Sequence, residues 1–240
     1  MGERADSCVF LGDDGERHFD LELCSRLKDA VTAPSDGKLF VVLHTYGSHF
    51  NYKERYPKDF GVFGHDAVLE ADAANRPSLI DAYDNSIRYV DAVVDSVIST
   101  VGSVGCPAAV LYVADHGEDI FDDSRHRFLH ASPTPTYWQL HVPFVMWMSD
   151  DYRRLYPGKY EAAKANVGKK ISSSRSAFHT LLSLAGIASP FFKAEAALTE
   201  AAYREPDFVF LNDYNEAVPL ERSGLRASDM GCLRALFKKR

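Results

Sequence analysis

Three observations in this 240-residue chain predict an α/β fold on a mostly parallel sheet. The runs LFVVL (39–43), AAVLYVA (108–114), HVPFVMW (141–147) and DFVFL (207–211) are short and almost uninterrupted in apolar residues, as strands buried on both faces are. Stretches with helical spacing lie between them, the alternation expected of helices packed on a sheet. Polar, chemistry-bearing residues gather just where two of these runs stop, as they do at the carboxyl ends of parallel strands.

The first helix is marked by Leu23, Leu27, Ala30 and Val31, recurring on one face and stopped by Pro34 and Gly37. The run 39–43 follows as a buried parallel strand. Ile80, Tyr83, Ile87, Val90, Val94, Val97 and Val101 then give a long amphipathic helix. Ser78 with Asp81 reads as its capping box, and Gly102 as its end. The strand 108–114 comes next, then 141–147 with Pro143 near its start. A helix over 177–185 ends at Gly186, and 207–211 is a late strand. No internal repeat, low-complexity stretch or linker divides the chain, so a single domain is expected over 1–240.

Composition removes several classes of function. The hydrophobic fraction of 46% and charged fraction of 25% are those of a packed globular protein, which excludes wholesale disorder. The formal net charge is −7 and the basic residues are scattered, the densest group being Lys238-Lys239-Arg240. A nucleic-acid surface is therefore not expected. No segment reaches the roughly 18 apolar residues of a membrane span, and the opening MGERADSCVFLGDDGERHFD is too acidic to read as a signal peptide. Cys8, Cys24, Cys106 and Cys232 lie far apart without a C-x-x-C pair, so buried free thiols are expected rather than a metal knuckle, with a Cys8–Cys24 bridge as the alternative.

Two strand ends carry the candidate chemistry. After 39–43 come His44-Thr45-Tyr46-Gly47-Ser48-His49, and after 108–114 come Asp115-His116-Gly117-Glu118. The cluster Arg125-His126-Arg127-Phe128-Leu129-His130 follows soon after. Five of the nine histidines fall in these stretches, so they are concentrated rather than scattered. Imidazole and carboxylate together suit a divalent ion, zinc best, and such an ion polarises a phosphoryl or sulfuryl oxygen. Gly47 and Gly117 would permit sharp turns and close backbone approach. Other readings stand beside this one. Asp115 and Glu118 also fit a helix cap, His126 between two arginines fits a solvated loop residue, and Thr45 and Ser48 fit local hydrogen bonding.

The segments LFVVLHTYGSHFNYKERYPKDF, AYDNSIRYVDAVVDSVI, VLYVADHGEDIF, FLHASP and HVPFVMWMSD, in that order and spanning roughly residues 17 to 190, resemble the catalytic domain of bacterial phosphoethanolamine transferases, members of the alkaline phosphatase/sulfatase superfamily. The combination LHxxGSH, RYP, DHGE and a later LH is specific, where DHG alone is weak. The resemblance implies a three-layer α/β/α domain that depends on zinc and faces the periplasm from the inner membrane. It implies transfer of phosphoethanolamine from a phospholipid donor, phosphatidylethanolamine, to lipid A or another envelope glycan, by a ping-pong route through a threonine.

By the same resemblance Asp115 and His116 are zinc ligands. His49 and His130 contact the phosphoryl group or a second metal, and His44 shares the motif as a substrate-binding residue. The family's first strand, with its acidic ligand and nucleophilic threonine, finds no counterpart ahead of GERHFDLELCSRLKDAV. The chain is thus expected to be the C-terminal portion of a longer membrane-anchored protein, lacking the N-terminal part of the domain and inactive by itself. It also lacks the cysteines that several relatives carry after RYP. VFLGDDG superficially resembles the first strand end of sulfatases, but no C-x-P-S-R or S-x-P-S-R motif follows it. The alternatives are a sulfatase or phosphodiesterase hydrolase of the same superfamily, or a non-catalytic domain that binds envelope components.

Overall fold

The computed structural model describes residues 4–12, 15–34, 37–64, 70–130, 134–212, 214 and 216–236. The basic terminus Lys238-Lys239-Arg240, the pair Asp13-Asp14 and the Ala131-Ser132-Pro133 end of FLHASP lie outside the described residues. The chain divides into two compact units, residues 1–104 and 105–240.

In the first unit, helix α1 (Glu22–Thr32) packs against the long helix α2 (Arg76–Gly102). α1 buries Leu27 and stops at Ala33, whose extended ψ of 139° is what a following proline imposes on its predecessor. α2 begins before the expected Ser78. Asn75 precedes it and Pro77 sits in the first turn, where a missing N–H costs nothing. The Asp72 side chain meanwhile caps the single turn Ala73–Asn75 ahead of it. Ser78 and Asp81 are helical residues, so no capping box forms there.

The core of this unit is aromatic. Tyr56, Tyr89 and Val93 are buried and pack against Phe19, Leu21 and Phe60, with the Phe60 ring edge-on to Tyr89 at 5.0 Å. Asn85 on α2 is fully buried and its amide is satisfied on both sides. Its oxygen accepts from the Val62 and Phe63 N–H groups, and its nitrogen donates to the Phe63 carbonyl and the Tyr56 hydroxyl.

The run 39–43 is not the buried parallel strand that its composition predicts. It pairs with no strand among the described residues, and Leu39, Phe40 and Val42 are more than half exposed. A ladder needs two segments, and apolar character in one of them does not supply the second.

The second unit opens with β1 (Ala109–Val113) and the hairpin of β2 (Asp119–Ile120) and β3 (Phe128–Leu129). A single turn, α3 (Tyr137–Leu140), and β4 (Phe144–Met148) follow. Next come α4 (Asp150–Leu155), α5 (Pro157–Asn166) and α6 (Ser173–Ala185). β5 (Val209–Leu211), β6 (Ala217–Pro219) and α7 (Ala227–Leu236) complete the unit.

β1 pairs with β4 antiparallel, Ala109 opposite Met148 and Val113 opposite Phe144, and the other described ladders are antiparallel as well. The mostly parallel sheet is thus not found among the described residues. The connection from β1 to β4 is a hairpin and one short turn rather than a long crossover helix, and such a return favours antiparallel pairing.

Met148, Tyr152, Ala163 and Leu184 form the buried cluster of this unit. The Tyr152 hydroxyl donates to the Leu184 carbonyl at 2.7 Å, and burial pushes its pKa up to about 12. α6 ends as expected at Gly186, in the left-handed region at φ +64°, where the Ile187 N–H reaches back to the Leu182 carbonyl. The four cysteines are free, and Cys8, Cys106 and Cys232 are exposed, so the expected burial fails for them. No helix among the described residues is long and apolar enough to cross a membrane.

Arg125, in the hairpin loop, ties α7 to the rest of the unit. Its guanidinium donates to both Asp229 oxygens at 2.7 and 2.9 Å, and its Nε to Asp123. The Arg125 and Asp229 side chains are 6% and 2% exposed, so neither finds a substitute in water. Burial raises the Asp229 carboxyl, but the Arg125 hydrogen bonds outweigh it and leave it below the usual range. The same guanidinium holds Asp123 at about 2.

Removing one partner of a buried pair costs about 3–5 kcal/mol, so Asp229→Ala should lower the unfolding free energy by an amount in that range, read in urea denaturation as a fall in the midpoint at unchanged m. Asp123 has a folded pKa below its unfolded value near 3.9. Its contribution is therefore complete above that value and is lost as pH falls toward about 2. The stability gap between wild type and Asp123→Asn should be widest at pH 6 and shrink by pH 3. A gap that widens on acidification would contradict this assignment.

Candidate metal centre

β1 runs out at Val113, and the turn Asp115-His116-Gly117-Glu118 leads directly into β2. The turn is docked on the segment around α3 through its glycine. The Gly117 N–H donates to the Gln139 carbonyl at 2.9 Å, and a Cβ placed on Gly117 would lie 2.0 Å from the Trp138 carbonyl oxygen. No side chain fits there. Asp119, 2% exposed, extends the docking: one of its oxygens accepts from the Thr136 hydroxyl at 2.8 Å and the other from the Gln139 amide at 2.5 Å. Burial raises the Asp119 carboxyl, against those hydrogen bonds.

The hairpin brings the second half of the site back. β2 and β3 pair Asp119 with Leu129 and Ile120 with Phe128, so His130 returns beside Glu118. The His130 Nδ1 lies 2.9 Å from Glu118 Oε1, and the imidazoles of His116 and His130 lie close together, tilted by 30° with centroids 3.6 Å apart. His116, Glu118 and His130 together form a grouping able to hold a metal ion.

His116 has two distinct edges. Its Nδ1 faces the Gly117 carbonyl at 3.1 Å and Glu118 at 3.8 Å, while its Nε2 faces Asp115 Oδ2 at 3.8 Å. An Nδ1–H donated to the carbonyl leaves the Nε2 lone pair for a cation, a common arrangement for ligating histidines. The Asp115 side chain is 89% exposed and that of Glu118 only 4%. One carboxylate is thus presented to incoming ions and the other is enclosed against His130.

Of the residues singled out in the sequence, the structure brings His116 and His130 together with Asp115 beside His116, and it adds Glu118, which the sequence placed at the strand end without a role beyond half of a possible cap. No helix begins at Asp115, so that alternative falls. His126 is exposed, as expected of a loop residue between arginines.

His44 and His49 lie in the first unit, both exposed on the loop 44–49. Asp20, 8% exposed, accepts from the Tyr46 N–H at 3.0 Å with one oxygen and from the Gly47 N–H at 2.8 Å with the other. Gly47 adopts φ +57°, the left-handed turn expected of it. Ser48 does not make the local hydrogen bond that its position suggested: its buried hydroxyl has no partner among the described residues.

The family model described as Sulfatase matches residues 5–187. The chain belongs to the sulfatase family. Among solved structures it resembles the C-terminal periplasmic domain of EcEptC from Escherichia coli in complex with Zn. That match has a TM-score of 0.75 and 25% identity, and covers 94% of this chain and 60% of that one. It also resembles the soluble domain of lipooligosaccharide phosphoethanolamine transferase A from Neisseria meningitidis, with a TM-score of 0.67 and 29% identity over 78% of this chain and 57% of that one.

Among curated relatives, the Kdo(2)-lipid A phosphoethanolamine 7''-transferase of Escherichia coli (strain K12) is 37% identical over 135 residues, 55% of this chain and 23% of the relative. Phosphoethanolamine transferase EptA of Salmonella typhimurium is 32% identical over 192 residues, 75% of this chain and 34% of the relative. The chain therefore spans between about a quarter and a third of these two curated relatives. These likenesses bear out the alkaline phosphatase/sulfatase-like α/β fold class.

Gly117→Ala should displace the turn, because the clash is with backbone that cannot rotate away. The expected result is a loss of about 1–3 kcal/mol in chemical denaturation, together with at least tenfold weaker binding of a divalent ion in metal titration.

Proposed function

We propose that this chain is the catalytic portion of a zinc-dependent phosphoethanolamine transferase that modifies lipid A or another envelope glycan, with phosphatidylethanolamine as donor. The observation that carries the reading is the turn after β1, where His116 Nε2 and Asp115 Oδ2 stand 3.8 Å apart on a docked backbone. Two donors of one tetrahedral zinc, each about 2.0–2.2 Å from the ion, are separated by a similar distance. The match to a zinc-bound EptC periplasmic domain supports the choice of metal. The transferases named among the relatives support the reaction.

In this reading Asp115 and His116 are the zinc ligands. Zinc bound there supplies Lewis-acid polarisation of a phosphoryl oxygen and of the attacking hydroxyl. Glu118 orients His130 through their 2.9 Å contact, which leaves the other imidazole nitrogen to hydrogen-bond or protonate an oxygen as charge develops. The motif resemblance assigns His49, with His44 on the same loop, to contact with the phosphoryl group. The motif resemblance assigns the nucleophile to a threonine and this domain to the periplasmic face of the inner membrane. A hydrolase of the same superfamily is the second reading, favoured by the family match itself.

Elemental analysis of protein purified with zinc should show substoichiometric metal that Asp115→Ala and His116→Ala each reduce further, since two of four ligands lie elsewhere. Glu118→Gln should retain more zinc than either. Zinc retained in Asp115→Ala but lost in Glu118→Gln would make His116, Glu118 and His130 the ligand set. Incubated with zinc and a fluorescent phosphatidylethanolamine, then weighed intact, the chain should carry no phosphoethanolamine, because a missing nucleophile costs orders of magnitude in rate. A stable adduct that disappears in Thr45→Ala would place the nucleophile in this chain instead.

A further inference from the structure

The hairpin that delivers His130 is bent against the preferences of its own residues. Phe121, His126 and Leu129 have φ of +52°, +50° and +67°, left-handed backbone that L side chains adopt at a steric cost. Among the described residues they are the three non-glycines with positive φ, so this strain is gathered in one hairpin. Leu129, the furthest into that region, immediately precedes His130. The ladder itself is two pairs long, Asp119 with Leu129 and Ile120 with Phe128, and so short a hairpin is marginal by itself. Backbone strain of this kind persists only where the surroundings impose it.

Arg125 at the tip of the hairpin supplies such an imposition. Its Nη1 and Nη2 donate to the two Asp229 oxygens of α7, and its Nε donates to Asp123 on its own loop at 2.8 Å. Asp229 is itself fixed, because it also accepts from the Tyr137 and Arg226 N–H groups, each at 3.3 Å. The guanidinium further lies 5.8 Å from the centre of the Trp138 ring, and the Trp138 carbonyl is the group that meets Gly117. One cation thus joins the hairpin tip to α7 and to the segment on which the turn of His116 is docked. Between tip and base, Phe121 and Phe128 stack with centroids 5.2 Å apart and planes 13° from parallel. That contact stiffens the hairpin, so a hold at residue 125 is felt at residue 129.

We propose that Arg125 is a positioning residue for His130. Bound to Asp229, it keeps the hairpin in the strained form that sets the His130 imidazole 2.9 Å from Glu118 and 3.6 Å, centre to centre, from His116. Without the guanidinium, Asp123 and Asp229 are left with no cation between them, and Asp229 is 2% exposed. The hairpin tip then parts from α7, the left-handed residues relax toward ordinary backbone, and His130 swings off its partners. In assigning Arg125 to the reaction, this rests on the reading of His130 as a residue that meets a phosphoryl oxygen. The placement of His130 is measurable without substrate or metal, so loss of one leaves the other to be judged separately.

The test is the nuclear Overhauser cross-peak between the His116 and His130 rings in the chelator-treated chain, labelled with carbon-13 at histidine. Wild type should show the cross-peak. Arg125→Gln should weaken it at least about fivefold, as expected when the closed hairpin falls to a minor population. Arg125→Lys keeps the charge but not the fork, and should weaken it at least about twofold; this milder variant decides the matter if Arg125→Gln does not fold. Leu129→Gly added to either variant should bring the cross-peak back to within about twofold of wild type, because glycine takes positive φ without the steric cost. Tyr152→Phe removes a buried bond elsewhere in the unit and should leave the cross-peak as it is.

A cross-peak unchanged in folded Arg125→Gln or Arg125→Lys would overturn the proposal. So would equal loss in Tyr152→Phe, which would make Arg125 a contributor to general stability alone, or failure of Leu129→Gly to restore it. If instead His130→Gln leaves transfer intact in an active, longer form of the protein, the catalytic reading of His130 falls while the measured hold of Arg125 on its position stands.

Discussion

The arrangement at the end of β1 depends on the contact between the bare α-carbon of Gly117 and the Trp138 carbonyl, closed by the Gly117 N–H on Gln139. Asp115 and His116 immediately precede that contact and Glu118 immediately follows it, so one backbone position sets where both edges of the His116 ring point. Asp119 inherits the same placement and uses it to accept from Thr136 and Gln139. The hairpin that starts at Asp119 returns His130 to Glu118, and Arg125 in its loop reaches Asp229 on α7. A residue with any side chain at position 117 would disturb each of these in turn.

A shared device runs through both units. Exposed, chemically useful side chains sit on backbone that is held by buried polar groups with every partner in place. Asp20 fixes the loop of His44 and His49 by accepting two backbone N–H groups, and Asn85 fixes residues 62 and 63 with three contacts and Tyr56 with a fourth. Asp119 does the same under the turn of His116. Each anchor is costly to bury and is compensated only in one backbone arrangement. That is how a short loop keeps an imidazole in place without burying it.

Much of this was legible in the residues. The stripe in α1, the period of α2, Gly186 closing α6 and the runs behind β1 and β4 all announced themselves, because periodicity and chain punctuation are local signals. The donors Asp115, His116 and His130 were legible from their types at a strand end. Glu118 was misread because its partner returns only after a hairpin of two-residue strands, too short to show alternation. That hairpin turns through positive φ at Phe121, His126 and Leu129, none of them glycine, so the sequence bears no mark of the bend. The anchoring of residue 47 by Asp20 joins positions 27 apart, and no local pattern reports such a bond. Ser149 is a different case. Its hydroxyl caps α4, with Asp150 and Asp151 in the first turn and Arg153 and Arg154 in the last, a signature present in SDDYRRL and passed over there.

The stretch Leu39-Phe40-Val41-Val42 carries a consequence of its own for how molecules of this protein meet. It is uncharged, free of proline and glycine, rich in β-branched and aromatic side chains, and open to solvent in all four positions. Backbone of this composition without a ladder partner is a ready template for strand addition by another chain. Concentration, and not temperature alone, should therefore govern how long the isolated chain stays dispersed. Ionic strength should act in the same direction, because added salt screens the like-charge repulsion that a net charge of −7 maintains between copies.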